Sequence, residues 1–132
     1  GFVVQNLMES VRSYEMLFGE FNIWEPTYIE AASYRGELAD CTLHIATAQN
    51  ESLAIELIQA LVGSSPHVEA TERRAFGMHH VRYRIKDIES YIKAAQSCGY
   101  EVIWYKQWDE VTKFGYLERV GDPLIIEFLE MP

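Results

Sequence analysis

The sequence predicts an α+β fold in which one strand–helix–strand unit, closed by a later strand, occurs twice. Two short amphipathic helices, each led by a capping residue and stopped by glycine, are the first sign. Extended apolar segments at matching places beside them are the second. The third is spacing: the caps, the glycine stops and the strands that follow them lie 80 or 81 residues apart in the two units.

The first unit opens with Phe2-Val3-Val4, a short apolar run that reads as a strand. Asn6 then offers an N-cap ahead of Leu7. Leu7, Val11, Tyr14 and Leu17/Phe18 recur at helical spacing, so the helix runs to about Phe18, and Gly19 ends it. Phe21 to Trp24 resumes extended chain. The segment from Tyr28 to Asp40 has no counterpart in the second unit and predicts a longer loop or hairpin. Ile55-Glu56-Leu57-Ile58 closes the unit as a strand.

Between the units, Gly63-Ser64-Ser65-Pro66 carries turn chemistry, and a short polar stretch to Arg74 can be helical. The second unit begins with a period-two strand in which Val81, Tyr83 and Ile85 alternate with Arg82 and Arg84. Asp87 caps a helix through Ile88, Ile92 and Ala95, and Gly99 stops it. Tyr100 to Trp104 is again extended, and Ile126-Glu127-Phe128-Leu129 is the closing strand. The chain is therefore read as one domain, 1–132, with module one at about 1–62, a linker at about 63–76 and module two at about 77–132.

Composition narrows the function. An apolar content of 48% over 132 residues is enough for a hydrophobic core. No apolar run approaches the roughly 20 residues of a membrane span. The formal charge of −9 argues against nucleic acid or an anionic membrane as partner, since both need clustered Lys and Arg. Cys41 and Cys98 match no metal or redox spacing and read as reduced thiols of a cytoplasmic protein. The chain opens on Gly1 rather than Met, which predicts that the sequence begins inside a longer protein.

The chemistry concentrates on two glutamates set in apolar strands. Glu56 and Glu127 each sit between large aliphatic or aromatic neighbours, where a carboxylate is costly unless paired or bound to a metal. Alternation turns Ile55 and Leu57 toward a helix and Glu56 the other way, and the same holds for Ile126, Phe128 and Glu127. Either glutamate could instead face water. His80 opens the alternating strand and adds an imidazole to the two carboxylates, a set suited to a divalent first-row metal. His79 should point with Val81 toward the helix side. Arg82 and Arg84 share the His80 face, where a guanidinium can bind a substrate carboxylate or phosphate, or pair with Glu56 or Glu118. Trp24, Trp104, Phe114 and Tyr116 are either core aromatics or the lining of a cleft mouth.

Phe2-Val3-Val4 with Asn6-Leu7, Ile55-Glu56-Leu57-Ile58-Gln59, Gly77-Met78-His79-His80-Val81 and Ile125-Ile126-Glu127-Phe128 occur in this order. Together they resemble the glyoxalase/methylmalonyl-CoA epimerase branch of the vicinal-oxygen-chelate superfamily, over essentially the whole chain. The resemblance implies two βαβββ modules forming a curved mixed sheet around a metal-binding cleft. It implies Glu56, His80 and Glu127 as ligands of a divalent ion (Ni, Co, Zn or Mn). A further ligand would come from the first strand; subtracting the repeat offset of 81 from 80 puts it at position −1, before Gly1. The activity implied is an isomerase or lyase that moves a proton next to a carbonyl or thioester through a metal-stabilised enolate. Glu56 or Glu127 would act as base, with Glu37 as a non-ligand carboxylate. Arg82, Arg84, Tyr116 and Trp104 would bind the substrate, with room for an anionic one, and a homodimer is the implied assembly. Glu56 matches the lyase ligand set, while the surrounding motifs are closer to the epimerases. Two other readings of the fold stay open, a non-catalytic small-molecule binding protein and an extradiol-type dioxygenase; in the second, Glu56 stands where a histidine is expected.

Overall fold

The structure is a computed structural model that describes residues 1–132. It contains ten strands and three helices. They divide into two compact units, one formed by Gly1–Glu30 and Asp40–His79, the other by Ala31–Ala39 and His80–Pro132. No helix is long and apolar enough to cross a membrane.

In chain order the first unit contains β1 (Phe2–Val3), α1 (Leu7–Phe18), β2 (Asn22–Ile23), the start of β3 (Thr27–Tyr34), most of β4 (Glu37–Gln49), β5 (Ala54–Gly63), α2 (Pro66–Glu72) and β6 (Gly77–Met78). Its strands pair in the order β6-β1-β5-β4, with β2 also on β4. The pairing of β1 with β5 is parallel, and β4 runs antiparallel to β5. Leu7 and Val11 of α1 pack on Ala46, Ala48, Ile55 and Leu57. The predicted alternation therefore holds: Ile55 and Leu57 are buried against the helix, while Glu56 between them is only half-buried.

The second unit contains β7 (His80–Ile85), α3 (Ile88–Gln96), β8 (Glu101–Gln107), β9 (Lys113–Arg119) and β10 (Asp122–Glu130). Its strands pair in the order β8-β9-β10-β7, with β10 parallel to β7. Ile88 and Ile92 of α3 pack on Leu117, Ile126 and Phe128. This is the expected strand–helix–three-strand plan, and the α+β class is as predicted.

Both helices are anchored in the same way. Asn6 and Asp87 are the N-caps, accepting from the backbone N–H of Glu9 and Ser90. One residue later, the N–H of Leu7 donates to Gln59 Oε1 at 2.8 Å, and that of Ile88 donates to Glu130 Oε1 at 2.7 Å. Each closing strand thus satisfies an amide at the start of its own helix that would otherwise lack an acceptor. Gly19 adopts φ 86° just past α1, and Gly99 adopts φ 90° two residues past Ser97, the cap of α3.

The segment expected as a loop or hairpin is the hairpin of β3 and β4. Arg35 and Gly36 form its turn, both with positive φ (49° and 88°), the hand that suits a two-residue hairpin. Its tip belongs to the second unit, where Ser33 and Tyr34 pair with Tyr105 and Trp104 of β8. The stretch expected as a polar linker carries α2, with Ser65 as N-cap and Pro66 in the first turn. Its inner face is buried through Pro66, His67 and Ala70.

Candidate functional site

Glu127 sits mid-strand on β10, between β7 and β9. The register places it opposite Arg82 on one side and Tyr116 on the other. Side chains directly opposite in a sheet share a face and approach closely. Arg82 Nε accordingly donates to Glu127 Oε2 at 2.9 Å. His80, two residues before Arg82, points to the same face, and its Nε2 lies 3.3 Å from the same Glu127 oxygen. The phenol oxygen of Tyr116 lies 3.4 Å from His80 Nε2.

His80, Glu127 and Tyr116 are 1%, 3% and 3% exposed. A carboxylate this buried is costly unless a cation faces it, and Arg82 supplies one whose side chain is 43% exposed. The imidazole nitrogen and the carboxylate oxygen are both donors to first-row divalent ions. Two such donors, buried and converging, fit a resident metal.

Aromatic rings enclose this group. The Tyr116 ring lies tilted at 4.8 Å from that of His80 and meets Trp104 edge-on at 5.0 Å, and Phe114 lies 4.7 Å from Trp104. Trp104 is 2% exposed and packs in the interior of the unit. Arg84 Nη2 donates to the carbonyl of Pro132. Glu37, at the start of β4, is exposed. Glu118 pairs with Arg35 at 2.8 Å.

In the first unit Glu56 of β5 lies opposite Thr47 of β4. Trp24 is half exposed, and its indole N–H donates to Thr47 Oγ1 at 3.0 Å. The buried polar groups of this unit lie elsewhere, around α2. His67 is fully buried with its Nδ1 3.3 Å from Ser65 Oγ, and the His79 ring lies 5.3 Å from that of His67. His79 therefore faces a helix as expected, but the helix is α2. The buried Cys41 thiol is pushed up to about 11 by burial, an effect that a hydrogen bond with Ser65 partly opposes. Both cysteines are free.

Sequence reasoning missed Ser65 and His67 because the stretch looked polar. The signal was present in Ser65-Pro66, a cap followed by a helix-opening proline.

Comparison with known proteins bears on the fold and the family. No sequence among curated proteins matches the chain significantly. Two solved structures align with the whole of it. A hypothetical protein from Bacillus halodurans has a TM-score of 0.70 at 19% identity, with 91% of that chain covered. Methylmalonyl-CoA epimerase from Mycobacterium tuberculosis has a TM-score of 0.66 at 15% identity, with 85% covered. At such identities these likenesses establish the fold alone. The family model described as Glyoxalase/Bleomycin resistance protein/Dioxygenase superfamily matches residues 1–116, nearly the full length. The chain belongs to that superfamily.

Proposed function

We propose that the protein is a metal-dependent isomerase or lyase that moves a proton on the carbon next to a carbonyl or thioester. The observation that carries this reading is the buried convergence of His80 Nε2 and Glu127 Oε2 at 3.3 Å, in a member of a superfamily that contains such enzymes. Glu56 is proposed as a further carboxylate of the set, because it occupies in β5 the place that Glu127 occupies in β10. A divalent ion held there would act as a Lewis acid, stabilising the charge that develops on a substrate oxygen.

The remaining work falls to the side chains. A carboxylate takes the proton from the substrate carbon and returns it, and Glu56 is the better placed of the two glutamates in one respect. Glu127 is held by Arg82 at 2.9 Å and is nearly sealed, whereas Glu56 is half-buried. Arg82, with its side chain 43% exposed, offers positive charge to an anionic substrate beside that carboxylate. The aromatic wall of Trp104, Phe114 and Tyr116 keeps the inner side of the site dry, which strengthens each polar interaction within it. A homodimer in the cytoplasm is the proposed setting.

The test combines metal analysis with proton exchange. Purified protein should carry about one Ni, Co, Zn or Mn ion per chain. In heavy water it should exchange the hydrogen next to the thioester of methylmalonyl-CoA, or that of the hemithioacetal of methylglyoxal and glutathione. Failure to take up any of these ions would end the metalloenzyme reading. Metal without exchange on either compound would end the proposed substrate class.

A further inference from the structure

The contacts at His80 Nε2 differ in length from the other polar contacts of the site. Arg82 Nε and Glu127 Oε2 are 2.9 Å apart, an ordinary charge-assisted hydrogen bond. Glu127 Oε2 and Tyr116 Oη stand 3.3 and 3.4 Å from Nε2. Good hydrogen bonds of this kind cluster near about 2.7–3.2 Å, so both contacts are long. They match a different length. Donors bonded to one ion at about 2.0–2.2 Å sit roughly 3.0–3.5 Å from one another.

We propose that Tyr116 is a metal ligand, its phenol oxygen joining His80 Nε2 and Glu127 Oε2 around a single ion. The inference rests on the metal-site reading above and extends its ligand set. Register supports it: Tyr116 on β9 stands directly opposite Glu127 on β10, so the two side chains share one face of the sheet, and both reach His80 Nε2. Burial supports it too, since all three side chains are at most 3% exposed and the phenol cannot turn out to water without unpacking from Trp104. A bound Tyr116 gives up its proton, adding a second negative oxygen beside Glu127. That charge suits a hard ion better than imidazole alone would, and it extends the range of acceptable ions to ferric iron.

The experiment uses the full chain loaded with ferric iron, and separately with Zn(II), as wild type and as Tyr116→Phe. Phenylalanine keeps the ring that packs on His80 and Trp104, and near-UV circular dichroism checks that the fold is retained. The wild-type ferric protein should show a visible phenolate-to-iron charge-transfer band with tyrosine modes in its resonance Raman spectrum. In Tyr116→Phe the band should vanish, and Zn(II) affinity should fall by about tenfold or more. Ferric iron bound without such a band, or with a band that survives the substitution, would overturn the role of Tyr116 and leave the metal site standing. No uptake of either ion by the wild type would overturn both.

Discussion

The two units share a backbone plan and differ in what they bury. In each, a short first strand runs parallel to the closing strand: Phe2 pairs with Leu57, and Tyr83 pairs with Phe128. One residue back, Glu56 lies opposite Thr47 while Glu127 lies opposite Tyr116. The second unit therefore surrounds its glutamate with a phenol, an imidazole and a guanidinium. The register of the first sets Thr47 opposite its glutamate, and its buried polar groups gather around α2. A repeated scaffold fixes where a residue stands, and the residues at those places decide what each half can do.

The largest test of this difference is Glu127→Ala against Glu56→Ala. Removing Glu127 strips a central donor and leaves the Arg82 cation facing a void. Metal affinity should fall by about a hundredfold or more and stability by about 2 kcal/mol. Removing Glu56 should weaken metal binding by about tenfold with a smaller loss of stability, since the site is half-buried. Calorimetric metal titration and thermal melts read both, and equal effects would erase the proposed asymmetry.

A second comparison uses glycine. Gly63 ends β5 at φ 98°, and a Cβ there would stand 2.1 Å from the Asp40 carbonyl oxygen and 2.6 Å from Cys41 Cα. Both obstacles are backbone, so Gly63→Ala should cost about 3 kcal/mol or more. Gly121, in the β9–β10 turn at φ 83°, has open space around it. Gly121→Ala should cost only the conformational strain, about 1 kcal/mol. Urea denaturation separates the two outcomes.

The thiols give the smallest contrast. Cys98 is exposed in the second unit and Cys41 is buried in the first. A thiol reagent at neutral pH should modify one cysteine in the native protein and two after denaturation. Because burial lifts the folded Cys41 thiol from 9.0 to about 11, the unfolded chain loses that proton first on the alkaline side. Its contribution to stability is complete below pH 9 and declines as pH rises toward 11. In Cys41→Ala that part of the alkaline slope should disappear.

Much of this was legible in the sequence. Asn6 and Asp87 as caps, Gly19 and Gly99 as stops, and Glu56 and Glu127 between helix-facing neighbours all follow from local rules of capping and alternation. Those rules act within a few residues, which is why they can be read from one chain. Partners across strands were not legible. Arg82 was read either as a binder of substrate or as a partner of cleft carboxylates such as Glu56 or Glu118; its partner on β10 is Glu127, while Glu118 pairs with Arg35. The choice depends on the register of β7, β10 and β9, which no single segment encodes. The meeting of Tyr116 with His80 was hidden for the same reason. The hairpin was foreseen as extra chain, but Arg35-Gly36 is an uncommon pair for a turn with two positive φ angles, so its position carried no strong signal.

That hairpin has a consequence for dissection of the molecule. Ser33 and Tyr34 cover the outer side of β8, although they come from the first half of the chain. A fragment starting at His80 would keep its helix and four strands yet present β8 with its ladder of amides and carbonyls unsealed. Such a fragment would be adhesive, recruiting a strand from any neighbour able to lend one. Modular as the chain is in plan, a cut between the modules would produce an open end rather than a half-size protein.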